Sequence, residues 1–69
     1  MPNANRHALR AQRYLLIADY GRIAYWYEAT DYSLEHAARA MRAVYPGATI
    51  YATPDDRIEA DAIGLPVWE

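Results

Sequence analysis

The chain has 69 residues, a formal net charge of −2 and no cysteine. A chain this short folds as one domain and buries only about 60% of its extended-chain surface. The lack of cysteine excludes disulfides and thiolate metal ligands, so stability must come from packing. An apolar fraction of 54% supplies a core, and no run approaches the roughly 18 apolar residues of a transmembrane helix.

The aromatic complement is seven Tyr and two Trp with no Phe, and Arg is used to the exclusion of Lys. Tyr and Trp suit half-exposed sheet positions and interfaces alike, and Arg is the better anchor for bidentate contacts. Charge is unevenly spread. Residues 1–13 carry Arg6, Arg10 and Arg13, whereas residues 53–69 carry Asp55, Asp56, Glu59, Asp61 and Glu69 against Arg57. A basic head and an acidic tail can pair within a monomer, pair between subunits, or face two partners.

Met1 to Asn5 reads as lead-in. The opening MPNANRHALRAQR lacks the apolar centre of a signal peptide, so a cytoplasmic protein is expected. Asn5 can cap a short helix over Arg6 to Arg13, but Leu9 is its only large apolar residue. Residues 1–13 are therefore expected as a basic arm, flexible or briefly helical, ahead of a single domain over residues 14–69.

Tyr14–Asp19 and Ile23–Ala29 are strand candidates rich in Ile, Tyr and Trp. Tyr20-Gly21-Arg22 between them holds the glycine a tight hairpin turn needs. Tyr14, Leu16 and Ala18 share one face and Leu15 and Ile17 the other. In the second strand Ile23, Tyr25 and Tyr27 oppose Ala24, Trp26 and Glu28. Both sheet faces thus carry large apolar groups. A single helix covers only one, which leaves the other for a terminal segment or another chain.

Leu34, Ala37, Ala38, Met41, Val44 and Tyr45 follow the spacing of a core-facing helical stripe. Asp31 or Ser33 caps its start, Glu35 sits in the first turn, and Pro46-Gly47 ends it. Ala48–Thr53 is a third strand, expected to run parallel to a hairpin strand after a right-handed crossover. Thr53-Pro54-Asp55-Asp56 then reads as a helix start, with Gly64 as its stop and Leu65, Val67 and Trp68 docking beyond it. The alternation of Ile58, Ala60 and Ala62 also admits a fourth strand there. The fold class predicted is α+β, a ββαβ domain with a short C-terminal helix. Its expected core is Leu16, Ile23 or its strand neighbours, Tyr25, Leu34, Ala38, Met41, Val44 and Ile50.

Catalytic signals are weak. His7 lies in the basic head and His36 on the polar flank of the helix, and neither has a partner at metal-ligand spacing. Asp55, Asp56, Glu59 and Asp61 lack the ordered spacing and internal glycine of a calcium loop. The glycines at 21, 47 and 64 read as turn and stop residues, not a phosphate cradle. No enzyme activity, metal or cofactor is expected.

The residue types fit a binding module instead. Tyr20, Trp26 and Tyr27 are the candidate aromatic anchors, with Arg39 and Arg42 beside them as charged contacts, since aromatic and Arg residues dominate binding hot spots. A homodimer is expected from the two apolar sheet faces and a free hairpin edge. Size and layout suit small inhibitors or adaptors of larger protein complexes, of the kind phages and mobile elements carry. The alternative is a nucleic-acid-binding or transcription-regulating protein using Arg6, Arg10 and Arg13 on phosphates, against which the overall acidity counts.

Overall fold

The computed structural model describes residues 10–69. They form β1 (Gln12–Asp19), β2 (Ala24–Asp31), α1 (Leu34–Val44), β3 (Thr49–Ala52) and α2 (Arg57–Ile63), with a 3-10 turn over Pro54–Asp56 leading into α2. The domain is α+β, with the ββαβ plan and the short final helix both present. Arg6 and His7, with most of the expected N-terminal helix, lie outside the described residues. Gln12 and Arg13 are strand, not helix, so β1 begins ahead of Tyr14 and Arg13 belongs to the sheet.

The sheet order is β2-β1-β3, and both pairings are antiparallel. β3 therefore runs in the same direction as β2, as a helical crossover requires, but β1 lies between them. The expected parallel pairing is replaced by a split β–α–β arrangement. β1 takes the central place because its Leu16-Ile17-Ala18 run is buried on both faces, and a central strand is the one that profits from apolar residues on both sides.

Gly21 holds the hairpin turn at φ +95°, the sign needed at the first position of a type II′ turn. Its N–H donates to Asp19 Oδ1 at 2.8 Å, and Tyr20 N–H donates to the Ile23 carbonyl at 2.9 Å. α1 starts at Ser33, whose Oγ accepts from His36 N–H at 3.1 Å. At the end of α2, Gly64 sits at φ +75°, with Gly64 N–H on the Asp61 carbonyl and Leu65 N–H on the Ala60 carbonyl. That pair of bonds is a Schellman motif, and it turns Leu65 into the core.

The core lies between α1 and one face of the sheet. Tyr14, Leu16 and Ala18 of β1, Ala29 of β2, and Ile50 and Ala52 of β3 meet Leu34, Ala37, Ala38 and Met41 of α1, with Ala60 and Leu65 closing one side. Six of these twelve residues are alanine, so the helix sits close to the sheet while burying little area per residue. Three expected core residues are instead exposed: Ile23 by 53%, Tyr25 by 41% and Val44 by 52%. Ile23 falls at the hairpin tip, just before β2. Tyr25 keeps one side in solvent while stacking on Tyr45. The buried stripe of α1 ends at Met41, and Tyr45, not Val44, packs against the core beyond it.

Candidate functional site

The helix-free face of the sheet is built by simple alternation. Opposite the core-facing residues stand Arg13, Leu15, Ile17 and Asp19 of β1, Ala24, Trp26, Glu28 and Thr30 of β2, and Thr49 and Tyr51 of β3. Register places Trp26 and Tyr51 on either side of Ile17. Trp68 of the C-terminal tail then packs edge-on against Tyr51, with ring centroids 5.1 Å apart at 86°. The result is one apolar band across the sheet, Trp26–Ile17–Tyr51–Trp68, with Leu15 beside it. Ile17 at its centre is buried without any helix above it, whereas Trp26 is 61% exposed. Along the strands the band is bordered at one end by the Arg13–Glu28 ion pair.

The tail reaches this face because it also seals the outer edge of β3. Ala52 N–H donates to the Pro66 carbonyl and Trp68 N–H to the Ala52 carbonyl, each at 2.9 Å. This isolated parallel bridge between Ala52 and Val67 leaves β2 as the edge strand that nothing covers among the described residues. The second face, expected to be covered by a terminal segment or another chain, is thus partly covered by the C-terminal tail.

Tyr20 and Tyr27 do not join Trp26. They lie on the helix side in a tyrosine cluster built around Tyr45, whose ring stacks on Tyr25 at 5.2 Å and 12°. Tyr27 meets Tyr45 edge-on, Tyr20 meets Tyr25 edge-on, and Tyr20 Oη donates to the Pro46 carbonyl at 3.1 Å. These contacts join the hairpin to the end of α1, so the cluster has a structural task. Arg39 and Arg42 are exposed on α1, which packs on the sheet face opposite the Trp26 band, and Arg39 pairs with Glu35 at 3.7 Å. The expected single patch of three aromatics and two arginines therefore separates into three places. Of the candidate phosphate contacts, Arg10 is exposed at the start of the described residues, Arg13 is ion-paired, and Arg6 lies outside them.

Sequence reasoning missed Glu59 as the hinge between the two helices. Its Oε2 accepts the backbone N–H of Leu34 at 2.9 Å, the first N–H of α1, and both carboxylate oxygens lie 3.5 Å from Tyr14 Oη. A carboxylate at a helix N-terminus answers both an unpaired donor and the positive end of the helix dipole. Burial, and then the neighbouring Glu59 carboxylate, raise the Tyr14 hydroxyl above its ordinary pKa. Burial and the adjacent Glu59 and Asp55 charges likewise raise Asp56. No local spacing signals this cap, because donor and acceptor are separated by 25 residues.

Among the described residues no group of three or more His, Cys, Asp or Glu is arranged to hold a metal ion, no pocket is enclosed, and no helix is long and apolar enough to cross a membrane. Comparison with known proteins finds no matching family model, no matching curated protein and no matching solved structure.

Proposed function

We propose that this chain is a non-enzymatic protein-binding module, acting in the cytoplasm as an inhibitor or adaptor of a larger protein complex, and that it binds through the helix-free sheet face. The observation that carries this reading is the Trp26–Ile17–Tyr51–Trp68 band, an apolar and aromatic strip on the helix-free face whose ends, Trp26 and Trp68, are exposed while Ile17 at its centre is buried. An exposed patch of this kind, rimmed by charge, is typical of protein-interaction sites. Trp26 is the central anchor. Ile17 and Leu15 of β1 lie beside it, Tyr51 stands beyond Ile17, and Arg13 and Glu28 form a polar rim. Tyr20 and Tyr27, tied to the packing of α1, are not part of this contact surface.

Affinity capture from native host extract, followed by mass spectrometry, tests the reading when Trp26→Ala is run beside the unaltered chain. The expected result is one dominant protein that survives nuclease treatment and is lost with the variant. Trp26→Ala should weaken binding by about 2 kcal/mol or more, as central aromatic anchors do. Capture that disappears with nuclease, or that is equal for both chains, would refute the assignment.

A further inference from the structure

We propose that the uncovered edge of β2 pairs antiparallel with β2 of a second copy of this chain, centred on Trp26, to give a two-fold symmetric six-stranded sheet. The inference uses the edge of the strand, not its face, so it stands whether or not the face binds another protein.

The backbone geometry defines the free edge. Tyr20 and Ile23 are a hydrogen-bonded pair, and in an antiparallel ladder such pairs alternate with non-bonded ones. Counting along the register, Tyr25, Tyr27, Ala29 and Asp31 turn their N–H and C=O groups towards β1. Ala24, Trp26, Glu28 and Thr30 turn theirs outward. The same alternation aims the backbone of Ala52 away from β1, where the tail accepts and donates to it. One sheet edge has thus been closed by the chain itself, and the other, eight residues long, is met by no other segment among the described residues.

Natural edge strands are usually blunted by proline, a bulge or unpaired charge. β2 has no proline and its register with β1 is continuous; of its two acids, Asp31 ends the strand on the helix side, and Glu28 pairs with Arg13 while its side chain stays 59% exposed. Among the described residues the strand is left open, a template for another strand.

Charge complementarity between Glu28 and Arg22 favours a second copy, and the continuity of the apolar band fixes its register. Pairing about Glu28 would set Glu28 against its own symmetry mate, and pairing about Tyr27 would set the two Glu28 side chains diagonally across the seam. Both oppose like charges. Pairing about Tyr25 would set Glu28 against Arg22 but each Trp26 against Ala24, whereas pairing about Trp26 sets Trp26 against Trp26 and still brings Glu28, on the diagonal, near Arg22 of the other copy, twice over by symmetry. Arg22 is exposed at the hairpin turn and makes no ion pair among the described residues. The same register sets Tyr25 opposite Tyr27 on the helix side and runs the apolar band unbroken across the two-fold axis.

The contact is modest in size. Tyr25, Trp26 and Tyr32 are each roughly half exposed, and at ~150–250 Å² per aromatic side chain they offer ~300 Å² per copy, with the strand backbone added. That falls short of the ~800 Å² per partner of a standard stable interface, which sets the expected self-association in the micromolar range.

Sedimentation equilibrium of the full chain from about 1 to 200 μM, at low salt, tests the proposal. A monomer–dimer equilibrium is expected, with Arg22→Glu alone and Glu28→Arg alone each weakening it about tenfold. An equimolar mixture of those two variants should recover the original affinity, because each then offers the charge the other lacks; changes confined to the monomer's stability would not be rescued by mixing. Ala24→Pro provides a second readout. Proline is tolerated at the first residue of an edge strand and removes an outward N–H, so this variant should be monomeric with an unchanged circular dichroism spectrum. A monomer throughout the range, or a dimer indifferent to both the charge exchange and Ala24→Pro, would overturn the proposal.

Discussion

Replacing Glu59 tests whether α2 stabilises the domain by capping α1 from a distance. In Glu59→Ala the Leu34 N–H loses a charged acceptor at 2.9 Å. A hydrogen bond to a charged group contributes about 1.5–3 kcal/mol, and the site is only part-buried, so the low end applies. Against it stands the repulsion between Glu59 and Asp56, which raises Asp56 and is relieved by the same substitution. The net loss expected is about 1–1.5 kcal/mol, or a melting temperature lower by roughly 4–12 °C in a domain of this size. Glu59→Gln keeps an acceptor and loses only the dipole interaction, about 0.3–1 kcal/mol, with the same relief of Asp56. It should fall between the wild type and Glu59→Ala. Ser33→Ala removes the other cap, on His36 N–H, and should cost about 1 kcal/mol independently. Urea unfolding followed by circular dichroism at pH 7 measures all three. If Glu59→Ala lies within about 0.3 kcal/mol of the wild type, as exposed surface substitutions do, the cap carries no stability and the argument fails.

Gly64→Ala places a side chain at φ +75° where no heavy atom would obstruct it, so the cost is conformational alone, about 1 kcal/mol, readable in the same unfolding curves; a neutral result would mean the Schellman turn relaxes freely. Asp56 has a folded-state pKa raised by burial, Glu59 and Asp55, so the folded state holds its proton more tightly and stability falls as pH rises between the unfolded and folded values. Asp56→Asn removes that penalty: it should be more stable than the wild type at pH 7, with the advantage shrinking as pH falls through the raised folded value and gone by roughly pH 3, below the ordinary aspartate value of about 3.9, where both states are protonated. An advantage that persists at pH 3 would locate its cause outside the titration.

The elements were legible in the sequence where local chemistry alone decides them. Gly21 at positive φ, Ser33 as cap, Pro54 ahead of acidic residues and Gly64 as stop each act within a few residues, and each marks the boundary expected of it. Leu34, Ala38 and Met41 were legible for the same reason, since helical spacing fixes which side is apolar whatever lies opposite. The misplaced core residues concern where an element stops relative to another. Ile23, Tyr25 and Val44 have the right parity for the core but sit at the hairpin tip and the helix end, where the covering layer runs out.

The binding surface was legible only in part, because strand parity cannot say which residues become neighbours across strands. Trp26 and Tyr27 are adjacent in sequence and therefore on opposite faces, so no register could have put both in one patch. The partners Trp26 does acquire, Ile17, Tyr51 and Trp68, come from three other segments. Their assembly depends on β1 taking the central position and on the tail crossing the outer edge of β3. That crossing has a directional consequence: it closes one edge of the sheet and directs any added strand to the other, beside Trp26. A ligand that lies on the band and a strand that joins β2 therefore approach the same residue from perpendicular directions, one against its ring and one along its backbone. Trp26→Ala removes the ring and leaves the outward N–H and C=O in place, whereas Ala24→Pro removes an outward N–H and leaves the ring. Ala24→Pro thus isolates edge pairing, while Trp26→Ala abolishes the face contact and only weakens the edge contact, within a strand of eight residues.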